Sequence, residues 1–139
     1  MSGRHRRTAG VVFPLFALLL GLSACGGPGE RRTASSAAAT AFERARDTGD
    51  GAAMCAALAP ETRREVEESE KKACADAISA LELPAGGPVR DVDVHGRQAR
   101  AVMASDTLFL SRFPDGWKIV AAGCEPRPGR PYQCSVKGG

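Results

Sequence analysis

The spacing of apolar side chains changes character near residue 89. Ahead of that point they recur with the 3.6-residue period of a helix, and beyond it they alternate. In "SAAATAFERARDT", residues 36–48, Ala38, Ala41, Phe42 and Ala45 share a helical face and predict a first helix, ended by Gly49. Asp50 is placed to cap a short second helix carrying Met54, Cys55 and Leu58 on one side. Pro60 suits the first position of a third helical segment, "PETRREVEE". Ser69 predicts the cap of another helix running to about Leu81, with Cys74, Ala77, Ile78 and Leu81 inward, before "LPAGGP" at residues 83–88 closes the helical half.

In the second half, Val92 and Val94 alternate with Asp91 and Asp93, the chain turns near His95-Gly96, and Ala99, Ala101 and Met103 return opposite Arg100 and Val102. "DTLFLSRF" at residues 106–113 predicts a third strand, Pro114-Asp115-Gly116 a turn, and "WKIVAAGC" at residues 117–124 a fourth. A last short strand is predicted near Cys134 to Lys137. Helices first and antiparallel strands afterwards predict an α+β fold with the helices on one face of the sheet.

The N-terminal segment obeys neither period. Arg4, His5, Arg6 and Arg7 precede an uncharged stretch that lasts until Glu30 and is most apolar from Val11 to Leu22. A basic head and a short greasy run make the layout of a secretory signal. Twelve helical residues reach roughly 18 Å, short of a hydrocarbon core of about 30 Å, which disfavours a permanent span. The run ends in Leu22-Ser23-Ala24-Cys25, which resembles the lipobox of bacterial lipoproteins. The resemblance implies a diacylglyceryl group on the Cys25 thiol, fatty chains such as palmitate, and cleavage after residue 24. It also implies residence at the extracytoplasmic face of the cell membrane. Residues 25–35 are polar, glycine-bearing and without apolar period, and read as a flexible tether with a reach of about 17 Å. Residues 36–139 then form a single domain.

Five cysteines is an odd number. Assigning Cys25 to lipid leaves Cys55, Cys74, Cys124 and Cys134, an even set that an oxidising compartment should pair. Four cysteines allow three pairings; the favoured one joins Cys55 to Cys74 between two helices and Cys124 to Cys134 across the loop "EPRPGRPYQ". No CxxC pair is present, and His95 is the one histidine downstream of Cys25, so neither a metal site nor any other cofactor is expected.

Charge narrows the partners. The chain has 19 basic and 16 acidic residues, but Arg4, Arg6 and Arg7 belong to the signal, and removing them leaves 16 of each. A neutral domain with no concentration of basic residues on one element argues against nucleic acid as a partner. The membrane, reached through the lipid on Cys25, is the expected one.

Candidate chemistry is sparse. Asp91 and Asp93 lie on one strand face, but the valines between and beside them predict a solvated face and not an acid–base pair. His95 sits at a turn tip. Arg127 and Arg130 lie in a proline-rich loop whose composition already explains it. The strand at 106–113 stands out because it is apolar on both sides: Leu108 and Leu110 line one face, Phe109 and Phe113 the other. With helices on one face only, Phe109, Phe113, Val102 and Val120 would form an exposed apolar patch fit for a homodimer or a protein partner. A chain segment folding over that face is the competing explanation.

The order of elements resembles the nuclear-transport-factor-2-like superfamily, a curved-sheet cone that includes ketosteroid isomerases and polyketide cyclases. The resemblance rests on "FERARDTGDGAAMCAAL", where a Gly-Asp break separates two helices, and on "DGWKIVAAGC", where a turn feeds a Trp-led strand. It implies a cone whose mouth Asp76, Asp106 and Tyr132 would approach. No catalytic motif of the superfamily is matched residue by residue. A non-catalytic binding or accessory role is therefore expected ahead of an isomerase- or cyclase-like enzyme with an acid in the cone.

Overall fold

The computed structural model describes residues 26–138, so the expected signal and Cys25 lie outside the described residues. Four helices precede a five-stranded sheet: α1 (Pro28–Asp47), α2 (Gly51–Ala57), α3 (Pro60–Glu70) and α4 (Cys74–Ala80), then β1 (Val89–His95), β2 (Gln98–Met103), β3 (Thr107–Phe113), β4 (Gly116–Arg127) and β5 (Arg130–Lys137). The strands form an antiparallel meander in the order β1-β2-β3-β4-β5. Irregular register at Val89/Asp91, Phe109/Leu110 and Glu125/Arg127 bends this open sheet. The α+β expectation holds.

Local chemistry explains most helix ends. Pro28 occupies the first turn of α1, Glu30 stands near its positive end, and Arg44 and Arg46 near its negative end. Gly49, at φ 69°, ends it, and the Asp50 side chain accepts the Ala53 N–H at 2.9 Å to start α2. Pro60 opens α3 as expected.

Two boundaries differ from the sequence reading. The first helix begins at Pro28, so residues 28–35 are helical and not a flexible tether. Arg31, Arg32 and Ala34 are good helix formers, and Ser35 is fully buried with its hydroxyl donating back to the Arg31 carbonyl. Ser69, expected to cap the fourth helix, lies inside α3 and donates to the Val66 carbonyl; Lys71, in the left-handed region at φ 54°, ends α3, and α4 starts only at Cys74.

The core lies between the helices and one sheet face. Ala39, Phe42 and Ala45 of α1, with Ile78 of α4, are buried with Leu108, Leu110 and Ile119 of the sheet. Ala41, expected inward, is exposed, because the buried stripe of α1 runs through Ala39 and Phe42. The third element joins by a short parallel bridge, in which the Ala59 N–H donates to the Ile119 carbonyl at 2.8 Å. The Thr62 hydroxyl donates to the next carbonyl, Val120, at 3.1 Å.

The two disulfides pair the cysteines as favoured. Cys55–Cys74 joins α2 to α4 with a Cα–Cα distance of 6.0 Å. Cys124–Cys134 links directly opposed residues of β4 and β5. The segment read as a loop there is a hairpin turning at Pro128-Gly129; Pro126 and Pro131 are tolerated because that ladder lies at the sheet's edge. Loops of these lengths correspond to about 3 kcal/mol of chain-entropy stabilisation each.

Candidate functional site

Three features of the fold present chemistry: a buried acidic knot, the outer sheet face and a groove beside α1.

The knot is built from α1 and the segments it touches. Asp106, just ahead of β3, is buried and accepts the backbone N–H groups of Thr107 at 2.7 Å, Gly123 at 3.0 Å and Cys124 at 2.8 Å. Glu43 is also buried and accepts the Gly86 N–H at 2.9 Å. Beside them the Arg46 guanidinium donates to the Leu83 carbonyl through Nε at 3.1 Å and Nη2 at 3.0 Å, and to Asp47 at 2.6 Å. Burial raises both carboxyl pKa values; the bonds from backbone amides and the Arg46 charge oppose the rise, and the Asp106 charge adds to it at Glu43. Chemically, Glu43 and Arg46 tie α1 to the 83–88 segment, and Asp106 ties the start of β3 to β4.

Of the two acids expected near a cone mouth, Asp76 and Asp106, only Asp106 is in the knot, and Glu43 is not among the residues the sequence singled out. The signal for Glu43 was its position four residues after Ala39 and three before Arg46, on the buried stripe.

On the outer face, register puts Val102 diagonal to Phe109, with Phe113 on the same face further along β3, while Val120 is the extra residue where β4 bulges against β3. All four are half-buried. Tyr132 of β5 reaches across to Phe109, with ring centroids 5.1 Å apart and planes at 76°. Tyr132 is thus a lid on the outer aromatic, not a cone-mouth residue. Arg100, opposite both Asp93 and Phe109, pairs with the Asp93 carboxylate, and that partner first, with the nearby Tyr132 hydroxyl second, holds its pKa above the ordinary arginine value. An open hollow of about 410 Å³ lies here, lined by Asp93, His95, Gln98, Arg100 and Phe109. The competing explanation is therefore met in part, since the C-terminal hairpin covers one side of the patch.

The remaining candidates are scattered. Asp76 is exposed on α4, and His95 is exposed at the β1–β2 turn. Arg127 and Arg130 are exposed at the hairpin tip, where Arg127 donates to the Pro131 carbonyl at 3.3 Å. Among the described residues no cluster of three or more His, Cys, Asp or Glu is arranged to hold a metal ion, and no helix is long and apolar enough to cross a membrane.

The third feature was not foreseen. Between the exposed side of α1 and β1, an edge strand, runs an open groove of about 710 Å³. Arg32, Arg44 and Arg90 line it with the hydroxyls of Thr33, Ser36 and Thr40. Asp91 is its one acid and lies 3.9 Å from Arg32. The clue was the polar run at 32, 33, 36, 40 and 44, which marks a helix face flanking the buried stripe.

Comparison with protein families, with curated proteins and with solved structures found no match to this chain.

Proposed function

We propose that this chain is a lipoprotein held by acyl chains on Cys25 to the outer face of a bacterial membrane, where it acts by binding and not by catalysis. The cysteine accounting carries this reading: Cys55–Cys74 and Cys124–Cys134 consume four of the five thiols, and the remaining one ends the lipobox-like Leu22-Ser23-Ala24-Cys25. Two disulfides suit an oxidising, extracytoplasmic setting. The helices-then-meander order supports a nuclear-transport-factor-2-like cone as the finer description of the fold.

The binding surface in this reading is the outer sheet face around Phe109, Phe113 and Val102, which takes a second copy or a protein partner. Half-exposed aromatics beside the Asp93–Arg100 pair supply apolar area with a polar rim, the usual composition of such a surface. An isomerase- or cyclase-like enzyme would rest on Asp106 or Glu43, the two buried acids. Both are committed to backbone amides, and neither lines any of the grooves described above.

Metabolic labelling with a clickable palmitate tests the anchor: label should enter the wild-type chain and be lost in Cys25→Ala. Phe109→Asp, assayed by crosslinking in intact membranes, tests the surface. Unchanged oligomeric state together with unchanged partner capture counts against it.

A further inference from the structure

The start of α1 and the groove beside it decide how such an anchored domain would sit, an inference that rests on the lipid-anchor reading. Only Gly26 and Gly27 separate Cys25 from the first helical residue, Pro28. A domain joined by two residues cannot roam, and the flank of α1 nearest its N-terminus is held at the bilayer surface. The groove of Arg32, Arg44 and Arg90 begins about one turn from that end and runs along α1 to Arg44 near its C-terminus, so the helix lies along the surface when all three reach it. Among the described residues Arg44 and Arg90 enter no ion pair, and Arg32 has only the 3.9 Å approach to Asp91. Three guanidinium groups therefore face outward against one carboxylate.

The opposite sign lies across the sheet. The third helix carries Glu61, Glu65, Glu67, Glu68 and Glu70 against Arg63 and Arg64, with Lys71 and Lys72 just past its end, and it packs on β4 and β5, whereas α1 crosses the sheet from β1 to β4 with its groove on the β1 side. A domain of no net charge is in this way polarised, with cationic groove and acidic helix at opposite sheet edges. Guanidinium groups form paired hydrogen bonds with phosphate oxygens, and the Ser36 hydroxyl adds a donor, whereas those of Thr33 and Thr40 donate to the Gly29 and Ser36 carbonyls.

We infer that the groove between α1 and β1 docks on anionic phospholipid headgroups, holding the domain with its α1–β1 edge down and its α3 edge away from the membrane. The outer sheet face then stands upright and open to partners. Each arginine near an anionic surface favours this orientation about fivefold, so three bias it on the order of a hundredfold, less the opposition of Asp91.

The test is an arginine footprint on the mature lipidated protein in vesicles, using phenylglyoxal and mass spectrometry, with Arg127 and Arg130 of the hairpin tip as internal controls. In phosphatidylcholine vesicles containing phosphatidylglycerol, labelling of Arg32, Arg44 and Arg90 should slow roughly tenfold or more relative to pure phosphatidylcholine, with Arg127 and Arg130 unchanged. Arg44→Gln/Arg90→Gln should restore fast labelling at Arg32. Equal labelling in both vesicle types overturns the inference, as does protection in detergent alone, which would mean a protein covers the groove. Equal protection by inorganic phosphate in pure phosphatidylcholine also overturns it, since the groove would then serve a free anion. Absence of acyl chains on the protein itself is a separate result, seen in its mass, and removes the anchor reading instead.

Discussion

The carboxylate of Asp106 accepts the backbone N–H of Cys124 at 2.8 Å, which places a buried acid directly beside one half of the β4–β5 disulfide. The same carboxylate takes the amides of Gly123 and Thr107, so one side chain shapes the kink where β4 leaves β3. Gly123 has a φ of 64° there, a conformation glycine adopts without strain.

Asp106→Asn should therefore destabilise the fold. Asparagine has one acceptor oxygen and sets an amide group against N–H donors, leaving at least one buried donor unpaired. The expected loss is about 1–3 kcal/mol, read from denaturant midpoints with both disulfides intact.

Glu43→Gln should behave in the opposite sense. Its amide oxygen still accepts the Gly86 N–H, while the buried charge is removed. Burial raises the Glu43 and Asp106 pKa values in the folded state. The stability they contribute is thus complete below the ordinary carboxylate range near about pH 4 and is lost as pH rises through the raised folded values. At neutral pH the Gln variant should equal or exceed wild type in stability, and the difference should shrink as pH falls through that window. A stability difference independent of pH would contradict the assignment.

Gly51 and α4 make a close approach that a side chain would spoil. A Cβ at Gly51 would overlap the Ala75 carbonyl oxygen, a backbone atom, beside the Cys55–Cys74 bond. Gly51→Ala should cost about 1–3 kcal/mol. Gly29→Ala, in α1 with open space around the new methyl, should be neutral or stabilise by about 0.5–1 kcal/mol. Thermal unfolding of the two variants side by side checks the contrast.

How much of this was legible varied with how local the cause was. The Asp50 cap, the Pro60 start and the β1–β2 and β3–β4 turns were readable because each is decided within four residues. The start of α1 was not, since polar residues 28–35 show no apolar period and become helical by extending a helix whose other end is packed. The Cys124–Cys134 hairpin looked like a loop because three prolines usually break strands, and only the edge position of that ladder admits them. Tyr132 was misplaced for a related reason: its contact with Phe109 depends on β5 pairing with β4 along the full hairpin. Glu43 and the arginine groove are products of the α1–sheet packing, which no single segment encodes.

Anchoring through Cys25 is the claim on which the orientation and the binding surface both depend. Intact-mass spectrometry of the protein purified from membranes tests it most directly. The account predicts a chain beginning at Cys25, heavier than its polypeptide by a diacylglyceryl group and any further acyl chain, with Cys55, Cys74, Cys124 and Cys134 oxidised. A chain that retains residues 1–24, or one whose Cys25 thiol carries no lipid, would contradict it.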